Sequence, residues 1–519
     1  MFYITTAIDY TNGAPHIGHA YEKVLADVIT RYRRLSGEDT YYLTGVDQHG
    51  QKVQQTAEKE GVNPATFAQR NTKKFLKLWD KLAVDYDGWA ETMDDRHKVC
   101  VQKILQKLHD EGQLYKKAYK GFYSVRQEQF LTDKERGEDG EFGPEWGEVT
   151  EIEEENWYFK LSEHVEWMRG YVESNKNFII PNFRHSEVLN ALDRATNNDL
   201  CISRPKTRLR WGIELPFDQD YVTYVWFDAL INYISFAGYL AEEDSEFPDF
   251  KNLWPANIHV IGKDILVPSH SIYWPAMLHA MGFSDDEMPT LLVHGWWNIK
   301  GEKMSKSIGN VVDPDALADQ FGSETLRYYL VRDIVTGKDS DFDADRLVML
   351  YNTELANDLG NLCNRALSMS KRSLGGIMTH SDFDDDDCKA LRKSLSDSTG
   401  QYQEAMERYD TAAALQALNS HVSFCNGFAE RNKPWELAKD ESQNSRLAAV
   451  LYHMVESCAH ISVLLSPVTP AACAKIQNQL RLENLGEIKL SNLNWGIIPA
   501  DHEIGKPKPV FPRIQIESD

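Results

Sequence analysis

The chain has 519 residues, 42% of them hydrophobic and 26% charged, with 79 acidic against 56 basic side chains for a formal net charge of −23. That length divides into about two to four units, and the composition excludes collagen-like and disordered chains. With no apolar run of membrane-spanning length expected, no signal-peptide pattern and acid in excess, a membrane protein and a wholly basic nucleic-acid binder are set aside, and a cytoplasmic location is expected.

Phe2 to Ile8 alternate as a strand, and the loop from Asp9 to Pro15 is rich in turn formers. Ile17, Tyr21, Val24, Leu25, Val28 and Ile29 then recur at helical spacing, so a helix should begin near Pro15 or His16. His16 and His19 share one face of its first turn, where exposed amides and the helix dipole favour an anion such as a triphosphate. Gly18 between them allows a close approach to the backbone. Thr40 to Thr44 reads as a strand, and helices are expected from Gln51 to Leu82 and from Asp95 to Glu111. Residues 1–113 therefore form the first half of a parallel α/β sheet.

From 114 to 215 the texture changes to short aromatic runs and glycine- and glutamate-rich stretches, which reads as an inserted domain. The sheet resumes over 216–298, with buried strands at Ile258 to Ile261 and Thr290 to Val293. Asp9, Asp47, Lys263 and His294 each follow such a strand, where open α/β sheets form their ligand crevice. Residues 299–345 begin with a lysine-rich loop holding Lys300, Gly301, Lys303, Lys306 and Gly309; two lysines there can neutralise charge that builds on phosphates. Residues 346–519 are heptad-like and strand-poor, as in a helical bundle. Cysteines 100, 201, 363, 388, 425, 458 and 473 form no Cys-x-x-Cys pair and are expected to be buried thiols. Basic runs at Arg31, Arg33 and Arg34, at Lys116, Lys117 and Lys120, at Arg204 to Arg210 and at Lys371 and Arg372 are the candidate RNA patches.

The run His16-Ile17-Gly18-His19 and the distant run Lys303-Met304-Ser305-Lys306-Ser307 read together as two halves of an ATP site. In this order the chain resembles the class I aminoacyl-tRNA synthetases. Within them it is most similar to the methionyl family, through Thr6 to Gly13, Gly45 to Gly50, Tyr224 to Ala229, Gly262 to Asp264 and Asn432 to Trp435. The resemblance implies a Rossmann-like parallel-sheet α/β catalytic domain split by an inserted domain, followed by an all-α anticodon-binding bundle. It implies ATP with Mg2+, L-methionine and tRNA(Met) as reaction partners, no membrane, and a monomer.

By the same resemblance His16, His19, Lys303 and Lys306 are catalytic, and Gly18, Lys263, Asp264, His294, Gly295, Met304 and Ser305 bind ATP. Ile8, Tyr10, Asp47, Arg204, Trp226, Ala229, Tyr233 and His270 hold methionine: Asp47 takes the ammonium, Arg204 pairs with Asp47, and the aromatic cage suits a thioether. Asn361, Arg365 and Trp435 read the anticodon. Relatives with a zinc knuckle in the insertion place cysteines where this chain has Ser124, Gln127, Gly143 and Trp146, so no zinc is expected and Phe122, Tyr123, Phe130, Phe142 and Trp146 should pack the hairpin. The insertion is too short for the editing domain of the leucine, isoleucine and valine enzymes.

Overall fold

The computed structural model of the chain describes residues 1–124, 129–131, 136–137, 139–195, 199–242, 246–303, 311–482 and 485–515. At its centre lies a seven-stranded sheet whose paired strands run parallel. Phe2–Thr6 sits between Thr40–Asp47 and Ile258–Gly262, with Ile4 opposite Tyr42 on one side and Ile258 on the other. Thr290–His294 and Ile179–Ile180 extend the second side, while Asp9–Tyr10 and Gly88–Glu91 both pair with Thr40–Asp47. Strand order therefore reverses beside Phe2–Thr6, and the crevice above the carboxyl ends at that reversal is where such sheets take ligands.

Two expectations need correction here. Phe2–Thr6 does not alternate in burial; all five residues are buried, because helices cover both faces of a parallel sheet. The segment 114–215 is not wholly an insertion either, since Ile179–Ile180 pairs with Leu291 and Leu292 inside the main sheet. Burial of Phe178 and Ile179 at 0% exposure draws this short stretch in, although two residues are too few to show a period.

The remainder of the insertion is built on a long antiparallel hairpin, Leu114–Ser124 with Val149–Phe159. Its basic strand faces its acidic one, with Lys116 3.5 Å from Glu155 and Lys120 3.4 Å from Glu153. The bundle comprises Asn361–Ser373, Asp386–Glu407, Thr411–Asn432, Asn444–Leu464 and Pro470–Leu480. The segment Glu441–Leu464 does reach membrane-spanning length and hydropathy, against the sequence expectation, but its apolar stretch is buried in the core of the bundle. All seven cysteines are free and buried.

Helix α1, Ile17–Ser36, runs from the crevice to the bundle and is buried along most of its length. Midway along it Asp27 pairs with Arg327 at 2.6 Å, both at 0% exposure. The Arg327 guanidinium also donates to the carbonyls of Leu82, Pro467 and Val468, so one buried cation joins the signature helix to the bundle with each of its three nitrogens bonded.

Candidate active site

A cavity of about 440 Å³ opens at the strand reversal and takes in the loops after four strands together with the start of α1. His16 is the N-cap of α1, and its Nδ1 accepts from the Gly18 amide at 3.1 Å. The His19 Nδ1 in turn accepts from the His16 amide at 3.1 Å. With both Nδ1 atoms acting as acceptors, the proton of each neutral ring is on Nε2, so each imidazole keeps an N–H donor on its outer edge. The rings lie 3.7 Å apart between centroids and both line the cavity. Gly18 is required for a local reason that the sequence did not reveal: a Cβ there would come within 2.9 Å of the His16 ring.

Beneath these histidines lies a set of charges. Lys23, fully buried, donates to Asp9 Oδ1 at 2.6 Å, to Glu22 Oε1 at 2.8 Å and to the Ala7 carbonyl at 2.8 Å. Glu22 Oε2 meets His294 Nε2 at 3.0 Å, and His294 Nδ1 faces the Gly295 carbonyl at 2.7 Å. Burial pushes the Asp9 carboxyl up to about 7, against the downward pull of Lys23. Burial would also raise Glu22, but Lys23 and the His294 hydrogen bond overcome it and hold Glu22 below the usual carboxylate range. The neighbourhood Glu22-Lys23 was missed in the sequence, where adjacent opposite charges on a helix look like a solvated pair.

At the other end the wall is apolar and aromatic. Ile8, Tyr10, Trp226, Ala229, Tyr233, Ile265 and His270 line it, with Asp47 at its edge. Helix Val225–Ser235 presents Trp226, Ala229 and Tyr233 together, three and four residues apart on one face. Tyr233 Oη donates to His270 Nε2 at 2.8 Å while His270 Nδ1–H donates to the Ile265 carbonyl at 2.9 Å. Both ring nitrogens are thus satisfied in a neutral imidazole, in keeping with burial pushing His270 down to about 4. Gly50, at φ 105°, gives the Tyr10 hydroxyl room, since a Cβ there would stand 2.5 Å from it. A buried pair that no sequence signal assigned, His49 Nδ1 and Asp228 Oδ2 at 3.1 Å, ties the loop after Asp47 to the helix of Trp226.

Of the ATP candidates, Gly18, Asp264, His294 and Gly295 line the cavity; Asp264 Oδ1 accepts from Trp296 Nε1 at 3.1 Å. Lys263 is not part of the lining, and its ammonium lies 2.6 Å from Asp339 and 3.8 Å from the centre of the Trp296 ring. Arg204 is likewise behind the wall, at 2% exposure, donating to the Ser203 carbonyl at 2.8 Å within a box of Tyr123, Phe130 and Tyr224. The Lys303 backbone pairs with Asn298 in a small antiparallel ladder. Met304, Ser305, Lys306 and Gly309 lie outside the described residues, as does Gln127 of the insertion.

In the insertion the expected aromatic packing is present: Phe122 and Phe142 lie 5.2 Å apart, and Tyr123 and Phe130 5.4 Å apart. Arg136 stacks on both Phe122 and Phe142, and Ser124 Oγ donates to the Trp146 carbonyl at 2.5 Å. Many of the basic residues named as RNA patches are matched by acid, with Arg34 on Asp85 and Asp87, Lys206 on Glu214 and Lys371 on Glu503.

In the bundle, Asn361 opens its helix exposed and Arg365 follows one turn later, bonded to Glu430 at 2.7 Å with its guanidinium 5.8 Å from the centre of the Trp435 ring. Trp435 is half-buried, resting on a cluster of Met369, Leu447 and Leu451. It is therefore both a partial plug and a partly open ring face.

Comparison with known proteins agrees with this arrangement. Residues 2–139 and 146–367 match the family described as tRNA synthetases class I (M), and residues 381–519 match the anticodon binding domain of methionyl tRNA ligase. The methionine–tRNA ligase of Halalkalibacterium halodurans is 38% identical, covering 100% of this chain and 79% of its own length. That of Bacillus subtilis is also 38% identical, covering 100% of this chain and 78% of its own. Among solved structures, Mycobacterium tuberculosis methionyl-tRNA synthetase bound by methionyl-adenylate superposes with a TM-score of 0.90 at 34% identity, covering 98% of this chain and 100% of that one. A two-ended cavity at the strand reversal, the histidine signature capping α1 and full-length similarity thus converge, and the chain belongs to the methionine–tRNA ligases of the class I synthetase family.

Proposed function

We propose that the two steps of methionine–tRNA ligation are divided among this chain's residues as follows. Methionine lies with its side chain against Trp226, Ala229, Tyr233 and His270, and its ammonium meets the Asp47 carboxylate. Its carboxylate attacks the α-phosphorus of ATP, giving methionyl-adenylate and pyrophosphate; a 3′-terminal ribose hydroxyl of tRNA(Met) then takes the methionyl group and AMP leaves. His16 and His19 donate through Nε2–H to the phosphates, while Lys303 and Lys306 offset charge moving onto pyrophosphate. Gly18, Asp264, His294, Gly295, Met304 and Ser305 enclose the nucleotide. Mg2+ supplies a hard cation for the phosphate oxygens, and Asp264, the exposed carboxylate of the cavity wall, is the side chain suited to join them. The observation that carries this reading is one cavity with the imidazoles of His16 and His19 at one end and an aromatic cage at the other.

Arg204 and Lys263 take part only as supports, Arg204 for the wall behind Asp47 and Lys263 for Trp296. The chain acts as a cytoplasmic monomer, and seven free, buried cysteines suit a reducing compartment. The insertion holds no zinc: Ser124 is engaged with Trp146, Gly143 carries no side chain, and Arg136 between two phenylalanines does the fastening. Metal analysis of purified protein is expected to find no stoichiometric zinc, and one zinc per chain would overturn this.

Asn361, Arg365 and Trp435 receive the anticodon, its bases splayed onto the indole and guanidinium planes. Trp435→Ala is expected to lower tRNA charging roughly ten-fold while ATP–pyrophosphate exchange is unchanged, because one base stack is removed. Equal loss of both activities would make Trp435 a core residue.

A further inference from the structure

Lys23 is at 0% exposure, and an ammonium so placed is tolerated only when all its donors are met. It has three N–H bonds and three acceptors: Asp9 Oδ1, Glu22 Oε1 and the Ala7 carbonyl. No donor is left for a substrate, and Lys23 is not part of the cavity lining. Each of its three acceptors belongs to a residue that is. Ala7 and Asp9 follow the strand Phe2–Thr6, Glu22 is on α1, and the other Glu22 oxygen reaches His294 at the end of Thr290–His294. One buried cation therefore ties the strand ends on both sides of the reversal to the helix that carries the histidine signature.

The electrostatic consequence bears on the nucleotide. Asp9 and Glu22 are carboxylates in the wall below the histidines, and Asp9 Oδ1 is 4.0 Å from His19 Nε2. Alone, two carboxylates at this depth would repel a triphosphate; one shared ammonium reduces their combined charge from two to one. Despite burial, which opposes it, Asp9 and Glu22 hold the Lys23 ammonium above its ordinary range, so it stays charged. We propose that Lys23 is a positioning residue for adenylate formation: never touching substrate, it neutralises Asp9 and Glu22 and fixes Glu22 against His294, so that the nucleotide end of the cavity accepts ATP. This rests on the assignment of that end to ATP.

The test uses the full chain and two variants, Lys23→Met and the double variant Asp9→Asn with Lys23→Met. Wild type is measured first, and absence of methionine-dependent ATP–pyrophosphate exchange there would refute the assignment of the cavity rather than the role of Lys23. In Lys23→Met the exchange kcat/KM for ATP is expected to fall roughly ten-fold or more, with methionine affinity, followed by intrinsic tryptophan fluorescence, within about two-fold of wild type. The double variant removes one of the uncompensated charges and is expected to recover part of that loss, roughly three-fold, without reaching wild type. An unchanged kcat/KM for ATP in folded Lys23→Met overturns the proposal. So does parallel loss of ATP use, methionine affinity and Tm without recovery in the double variant, which is the signature of a purely structural lysine. If Lys23→Met does not fold, the double variant decides by itself: Glu22 is still unheld, so a weakened ATP KM supports the role and a wild-type ATP KM refutes it.

Discussion

At the cavity end we assign to the amino acid, Tyr233 and His270 meet through a neutral hydrogen bond of 2.8 Å, whereas at the end we assign to the nucleotide Lys23 sits between two carboxylates at 2.6 and 2.8 Å. Both ends are buried, and burial penalises charge in each; they answer that penalty differently. The amino-acid end gives up charge, with His270 pushed down to about 4 so that its ring is neutral near pH 7. The nucleotide end keeps charge and pairs it. A neutral cage selects its ligand by shape and polarisability, as a thioether requires, while at the other end Lys23 offsets carboxylate charge that would otherwise repel a polyanion. Substitutions at one end should therefore leave the other's ligand nearly untouched.

The largest break in that comparison is expected from the lysine loop. Lys306→Ala should lower the exchange kcat by roughly 100-fold or more, as loss of a charge-stabilising group in a transition state does, with methionine affinity nearly unchanged. An unaltered exchange rate would remove Lys306 from the mechanism. At the amino-acid end, Trp226→Ala should reduce kcat/KM for methionine roughly ten- to a hundred-fold by opening the half-buried aromatic wall, with the KM for ATP preserved. A matching rise in the ATP KM would show that the two ends are not separable.

A smaller and sharper test uses pH. Burial raises Asp9 to about 7 from 3.8, with Lys23 and Glu22 as its charged neighbours. Below pH 7 the carboxyl takes up a proton and the combined charge of Asp9, Glu22 and Lys23 goes from −1 to 0, so the KM for ATP should fall a few-fold as pH drops from about 8 to 6. Stability has the same sign. A carboxyl whose folded value is raised binds protons more tightly when folded, so its contribution is present at low pH and is lost as pH rises from about 4 to 7. Asp9→Asn should remove both trends, and a fall in ATP KM on acidification that persists in that variant belongs to another group.

Much of this site was legible in the sequence because motifs fix residues relative to strand ends. His16, His19, Asp47, Asp264 and His294 all follow or flank strands whose carboxyl ends meet at one reversal, and the cavity gathers them. Trp226 and Tyr233 were legible only through the family resemblance, because a seven-residue spacing on one helix face by itself reads as core. The charged floor was not. Lys23 meets Asp9 14 residues away and Glu22 meets His294 272 residues away, and neither spacing is a local pattern. Lys263 follows a strand as predicted, yet Asp339 draws its ammonium to Trp296, a competition visible only in three dimensions. At the fold level, Ile179–Ile180 escaped because it is two residues long, and the buried Arg327 escaped because its acceptors are mostly carbonyls, which have no sequence identity.

The account rests on one cavity joining ATP to methionine, and ATP–pyrophosphate exchange measured separately with each of the twenty amino acids tests it most directly. Exchange supported by methionine and at background with the other nineteen is the predicted result. Exchange driven better by another amino acid, or by none, would contradict it.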